Sequence, residues 1–128
     1  MRTRFRALSA LVLTLAAGLA LAATITVTWQ NATQNVDSTS IPATGPGSIA
    51  NTRIEWGTCN ADTFGTKAGE KLVTGAVTTT ATPDLAPGRW CLRAIHINTF
   101  GVESDPSNTA IKVIDAPKPR PPGNFSVS

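Results

Sequence analysis

The chain offers few side chains suited to covalent or metal chemistry. Its 128 residues include one histidine, His96, and two cysteines, Cys59 and Cys91. Nucleophilic catalysis needs a nucleophile, a base and an orienting group within mutual reach. No Gly-x-Ser-x-Gly elbow occurs, and His96 falls inside an apolar alternating run, Arg89 to Ile97, beside Trp90, Leu92 and Ala94. That position reads as a core or rim histidine rather than a base. A His/Cys metal cluster needs more ligands than these three side chains supply. Asp37, Asp62, Glu70 and Asp105 are scattered and lack the spacing of a calcium loop. Gly45-Pro46-Gly47 is a turn, not a phosphate cradle. The expectation is a protein that is not an enzyme, with no catalytic residues, no metal and no cofactor.

Charge points the same way. The formal net charge is +3, but Arg2, Arg4 and Arg6 lie in the first six residues. Without those three, eight basic residues face eight acidic ones, a balance of zero. The basic character therefore belongs to the N-terminal segment, and no basic patch with interleaved aromatics suggests nucleic acid. Residues 1–22 read as a signal peptide: a basic head, an apolar run from Ala7 to Leu21, then the small-residue pattern Ala20-Leu21-Ala22. The run is about 15 residues, short of the roughly 20 that span a bilayer. The expected mature protein begins at Ala23 and is exported, periplasmic or extracellular, with no membrane association after cleavage. An oxidising compartment favours a Cys59–Cys91 bridge, the alternatives being two free thiols or a bond between molecules.

The elements that must position these residues are strands. Ile25, Val27 and Trp29 alternate with Thr24, Thr26 and Thr28, the period of a half-buried strand. Gln30 to Ala50 is rich in Asn, Thr, Ser, Pro and Gly and reads as a long loop. Thr52 to Trp56 resumes alternation, with Ile54 and Trp56 inward, Arg53 and Glu55 outward, and Gly57 ending the run. Lys71-Leu72-Val73 is a short strand, and Val77 to Thr82 is β-prone. Pro83 to Gly88 is a turn, Arg89 to Ile97 the longest strand, Asn98 to Asp105 a turn around Gly101, and Thr109 to Ile114 the last strand. Short strands with turn signals between them predict an all-β sandwich over residues 23–115.

Four segments in this order resemble the fibronectin type III domain. Ile25-x-Val27-x-Trp29 resembles its strand B and Arg53-Ile54-Glu55-Trp56-Gly57-Thr58 its strand C. Leu85-Ala86-Pro87-Gly88 resembles the turn before strand F, and Gly101 to Ser104 followed by Pro106-Ser107-Asn108 the turn into strand G. The resemblance implies an immunoglobulin-like β-sandwich of fibronectin type III type, with Cys59 and Cys91 on neighbouring antiparallel strands. Two departures stand out. Trp90 replaces the Tyr usual after this turn, and an indole donates only. Strand A is missing at the N-terminus, because strand B starts at the expected cleavage site.

Residues 116–128 read as a Pro-rich linker and a strand-like tail. Pro117, Pro119, Pro121 and Pro122 precede Asn124 to Ser128, where Phe125 and Val127 share a face. The implied function is a structural or adhesive binding module, its partner a protein or glycan, with self-association through the tail as a displaced strand A. The alternative is an accessory or virion-surface module serving an enzyme or particle encoded elsewhere. Two candidate contacts follow: Phe100 at a loop tip, which either meets a ligand or caps the core, and the donor pair Phe125 and Val127.

Overall fold

The computed structural model describes residues 22–128, and over these the chain is all-β. The expected signal peptide lies outside the described residues up to residue 21. The strands are β1 (Ala23–Thr24), β2 (Val27–Thr28), β3 (Ile49–Asn60), β4 (Thr63–Thr74), β5 (Thr80–Ala81), β6 (Asp84–Leu85), β7 (Gly88–Asn98) and β8 (Ala110–Ile114). One sheet has four antiparallel strands in the order β4-β3-β7-β8. Opposite it run two short antiparallel ladders, β1 with β6 and β2 with β5. Bonds from Ile25 N–H to the Pro83 carbonyl (3.0 Å) and from Trp29 N–H to the Thr79 carbonyl (3.1 Å) join these ladders into one ribbon.

Alternation explains the layering. Ile25 and Leu85 pack on Leu92, with Trp56, Trp90 and Ile114 around them. Ile54, Val73 and Ala81 form a second cluster with Val27, Trp29 and Ala94. Residues of the ribbon thus meet residues of the four-stranded sheet, the face-to-face packing of a β-sandwich. Each fully buried Leu or Ile contributes about 1.5–3 kcal/mol. Among the described residues the ribbon supplies Leu85 and Ile25, and the long strands β3 and β7 supply Ile49, Ile54, Leu92 and Ile95.

Three expectations need correction. The strand around Lys71-Leu72-Val73 is the end of β4, which is 12 residues long and makes a hairpin with β3. Gly57 does not end its strand: register shifts at Trp56/Gly57 and Gly57/Cys59 carry the ladder past it to Asn60. A side chain at Gly57 would place its Cβ 2.0 Å from the Thr66 carbonyl oxygen, so glycine is what admits the close approach of β4. The Pro83 to Gly88 turn contains the paired segment β6. Residues 116–128 form no strand, and Phe125 and Val127 are 88% and 89% exposed.

Candidate functional site

Cys59 and Cys91 are bonded across β3 and β7, with a Cα–Cα distance of 5.2 Å. Cys59 lies within β3, not beyond its end, because the bulged strand runs on to Asn60. The bridge lies on the face of the sheet turned away from the ribbon: Cys91 alternates with Trp90 and Leu92, which point into the core. Such a bridge is compatible with an oxidising compartment.

The same outer face carries a buried charge cluster. Glu55 is only 3% exposed. Its carboxylate accepts from Arg53 Nε at 3.0 Å and Arg93 Nε at 2.9 Å, with Lys67 Nζ 3.7 Å away. Burial pushes its pKa up, but the Arg93 and Arg53 guanidiniums together outweigh burial and hold it below the usual carboxylate value. Arg93 also lies over the Phe64 ring, 4.0 Å from its centroid. Arg53 continues to Glu103 at 2.5 Å. Every member is matched, so the cluster ties β3, β4 and β7 together and leaves no charge for a ligand.

His96 faces the core side of β7. Its Nε2 accepts from the Ala32 N–H at 3.4 Å, so Nδ1 carries the proton and faces Thr52 Oγ1 at 2.9 Å. Burial pushes its pKa down. An activated hydroxyl would donate to the imidazole, whereas here the protonated Nδ1 donates to the Thr52 hydroxyl. Thr52 is also 0% exposed, so no substrate reaches its oxygen. The pair anchors the Gln30–Ala50 loop instead. Among the described residues no group of three His, Cys, Asp or Glu is placed to hold a metal ion. No helix among them is long and apolar enough to cross a membrane.

The two long loops meet at one pole. Thr99 N–H donates to the Ser48 carbonyl at 3.0 Å, and Gly47 N–H to Thr99 Oγ1 at 2.7 Å. Asn98 Oδ1 accepts from the N–H groups of Phe100 and Val102, both at 3.0 Å, which tightens the turn through Gly101 at φ 79°. Phe100 stands 71% exposed on that turn, outside the core.

A long opening lies along the ribbon. Every cross-strand bond of β1 and β2 runs to β5, β6 or the residues between them. Ile25 and Trp29 donate on that side, and Val27 is paired there with Ala81. In an antiparallel ladder, alternate residues direct their N–H and C=O to opposite sides. The backbone groups of Thr24, Thr26 and Thr28 therefore point the other way, where the described residues supply no strand. That edge opens into a groove of about 590 Å³ lined by residues 23–28, Leu92, Ala110, Ile111 and Lys112. A second hollow of about 380 Å³ continues it past Trp29, sharing Val27, Thr28, Leu92 and Ala110. The result is one seam between β1–β2 and β8, with a polar backbone rim and an apolar floor. The floor from Leu92 and β8 depends on how the two layers stack, which no single stretch of sequence shows. Comparison with known proteins yields no relative: no family model, no curated protein and no solved structure matches the chain.

Proposed function

We propose that this chain is an exported, non-enzymatic structural or adhesive module of fibronectin type III type, which binds another polypeptide by taking an extended segment into its seam. The carrying observation is the open edge. Thr24, Thr26 and Thr28 present N–H and C=O groups that no described strand pairs, above an apolar floor, the arrangement that strand addition uses. Main-chain bonds supply affinity there, and alternate side chains of the incoming segment fill the floor.

Support for the fold type comes from the strand order. The order β4-β3-β7-β8 with β1–β2 opposite is compatible with reading β1–β2, β3, β7 and β8 as strands B, C, F and G, and on that reading strand A would lie along the open edge. The turn before β7 also keeps its side-chain-to-backbone bond, since Trp90 Nε1–H donates to the Ala86 carbonyl at 2.8 Å. The indole does what a tyrosine hydroxyl would do. Support for export comes from the Cys59–Cys91 bond and the N-terminal pattern.

Amide hydrogen exchange on dilute protein, recovered outside the cytoplasm with a mass beginning at Ala23 or Thr24, tests this reading. Thr26 and Thr28 amides should exchange at near-solvent rates, while Ile25, Val27 and Trp29 are protected. Slow exchange at Thr26 and Thr28 in the monomer would mean the edge is already covered, and the reading would fall.

A further inference from the structure

Among the described residues four strand edges lack a neighbouring strand, and three of them carry devices that discourage pairing. β4 bears Lys67, Glu70 and Lys71. The β5–β6 edge is interrupted by Pro83 and followed by Asp84. β8 bears Lys112. Charges and prolines are how edges are kept from sticking. The β1–β2 edge has neither from Ala23 to Gln30, and its outward positions are three threonines, a β-favouring type. It is the edge left open.

The same chain carries a segment with complementary features. Phe125 to Ser128 follow a bend at Gly123–Asn124, where Asn124 takes φ 52°. Phe125 and Val127 fall on one face of an extended segment. Both are exposed and without a core of their own, at 88% and 89%. Among the exposed large hydrophobics, they are the two whose spacing would place both on one floor with backbone free on either side.

Geometry decides whose seam they fill. Ile114 pairs with Gly88, and Ala23 pairs with Leu85, so β8 ends at the pole where β1 begins. An antiparallel strand added to β1–β2 must start at the other pole, beside Thr28, and finish beside Ala23. The linker from Asp115 to Gly123 has four prolines in nine residues. As a polyproline-type segment at 3.1 Å per residue it spans roughly 28 Å. The edge from Ala23 to Trp29 is shorter, about 20–23 Å at 3.3 Å per residue. To reach its own seam, the tail would need that stiff linker to climb past the whole edge and then reverse. Extended outward, the linker instead delivers the tail to the Thr28 pole of a second molecule.

We propose that residues 124–128 of one copy enter the seam of the next as an added antiparallel strand, with Phe125 and Val127 on the floor formed by Leu92, Val27 and Ala110. This rests on the strand-accepting reading of the seam. The donor and acceptor surfaces differ, so the contact is heterologous and open-ended, and it builds linear assemblies.

The test is sedimentation velocity on the exported protein across a concentration series. Wild type should form a ladder of growing species. Phe125→Asp (donor removed) and Thr26→Pro (an outward N–H removed from the acceptor edge) should each stay monomeric. Mixed together, they should give a 1:1 dimer and nothing longer, because one retains only an acceptor and the other only a donor. A synthetic peptide of residues 121–128 should stop wild-type growth, and the same peptide with Phe125→Asp should not. The peptide arm decides the matter if Thr26→Pro does not fold. A wild type that stays monomeric at every concentration overturns the proposal. So does Phe125→Asp assembling like wild type, which would indicate edge-to-edge pairing of two β1–β2 segments. If the monomer's Thr26 and Thr28 amides still exchange fast in either case, the strand-accepting reading survives and only the donor is wrong. If they are protected, both fall.

Discussion

Cutting the Cys59–Cys91 bond should remove a large fraction of the stability of this domain. The two residues are 32 apart in sequence. In the chain-entropy treatment, a closed loop of that length lowers the unfolded state's entropy by about 12–13 cal/mol/K, or roughly 3–4 kcal/mol at 25 °C. Cys91 is wholly buried, so its thiol keeps its packing after reduction. Reduction therefore isolates the covalent link, whereas Cys91→Ala adds a small cavity to the same loss. A domain of this size has a total stability of about 5–15 kcal/mol. Losing 3–4 of it should lower the melting temperature by roughly 15–25 °C. The assay is equilibrium urea unfolding with and without reductant, followed by tryptophan fluorescence. The slope should also rise on reduction, because the uncut chain hides surface when unfolded. Midpoints corresponding to less than about 1 kcal/mol of difference would refute the loop-entropy reasoning. Two thiols that alkylate freely in the native oxidised protein would refute the bond itself.

Two further outcomes follow from the buried polar groups. Glu55→Gln keeps the shape of the side chain but leaves Arg93 without the carboxylate that holds it, and should cost about 2–3 kcal/mol at pH 7 by urea unfolding. Because the folded carboxyl titrates below its ordinary value, that loss should shrink as pH falls through the folded pKa and the wild-type Glu55 becomes neutral like the amide; an equal loss at acid pH would count against a charge effect. His96 titrates below 6.5 when folded, so the unfolded chain takes its proton first. Stability should therefore be full above about pH 6.5 and fall on acidification below it. In His96→Gln that segment of the pH profile should flatten, and an unchanged slope would show that His96 does not set it.

Much of the architecture was legible because its strands bury one face. Ile25/Val27/Trp29, Ile54/Trp56 and Trp90/Leu92/Ala94 carry the period of two, and they form the two core clusters. β4 was legible only at its end. It is an edge strand containing Gly65 and Gly69, with Lys67 between them and Glu70 and Lys71 after them, so composition hides it. The close fit to β3 that requires Gly57 and Gly69 is a property of two strands together, and neither sequence stretch shows it alone. Trp56 makes the point: its indole carbons would lie 2.7 Å from a Cβ at Gly69. The turn between β3 and β4 was missed for a related reason. Ala61 adopts φ 55°, a left-handed conformation that alanine does not advertise. Glu55 alternates to the outer face as expected, yet it is buried. Arg93 lies directly opposite on β7 and Arg53 two residues away on its own strand, and together they roof it over.

The distribution of these contacts bears on how an open seam is tolerated. The disulfide and the Glu55 cluster both brace the four-stranded sheet, and neither touches the ribbon. The ribbon is held by two ladders of two residues each, the bonds to Pro83 and Thr79, and the apolar contacts of Ile25, Val27, Trp29, Ala81 and Leu85. Two-stranded ladders of that length are not stable alone. The braced sheet must therefore serve as the template on which the ribbon lies, which makes the ribbon the less stable layer. A layer in that condition gains most from one more strand, since an incoming segment adds backbone bonds to Thr24, Thr26 and Thr28 and covers the floor beside Leu92. The covalent and ionic contacts thus keep the four-stranded sheet folded beneath the ribbon, and on the proposed reading an added strand would stabilise the layer that the chain's own contacts hold least.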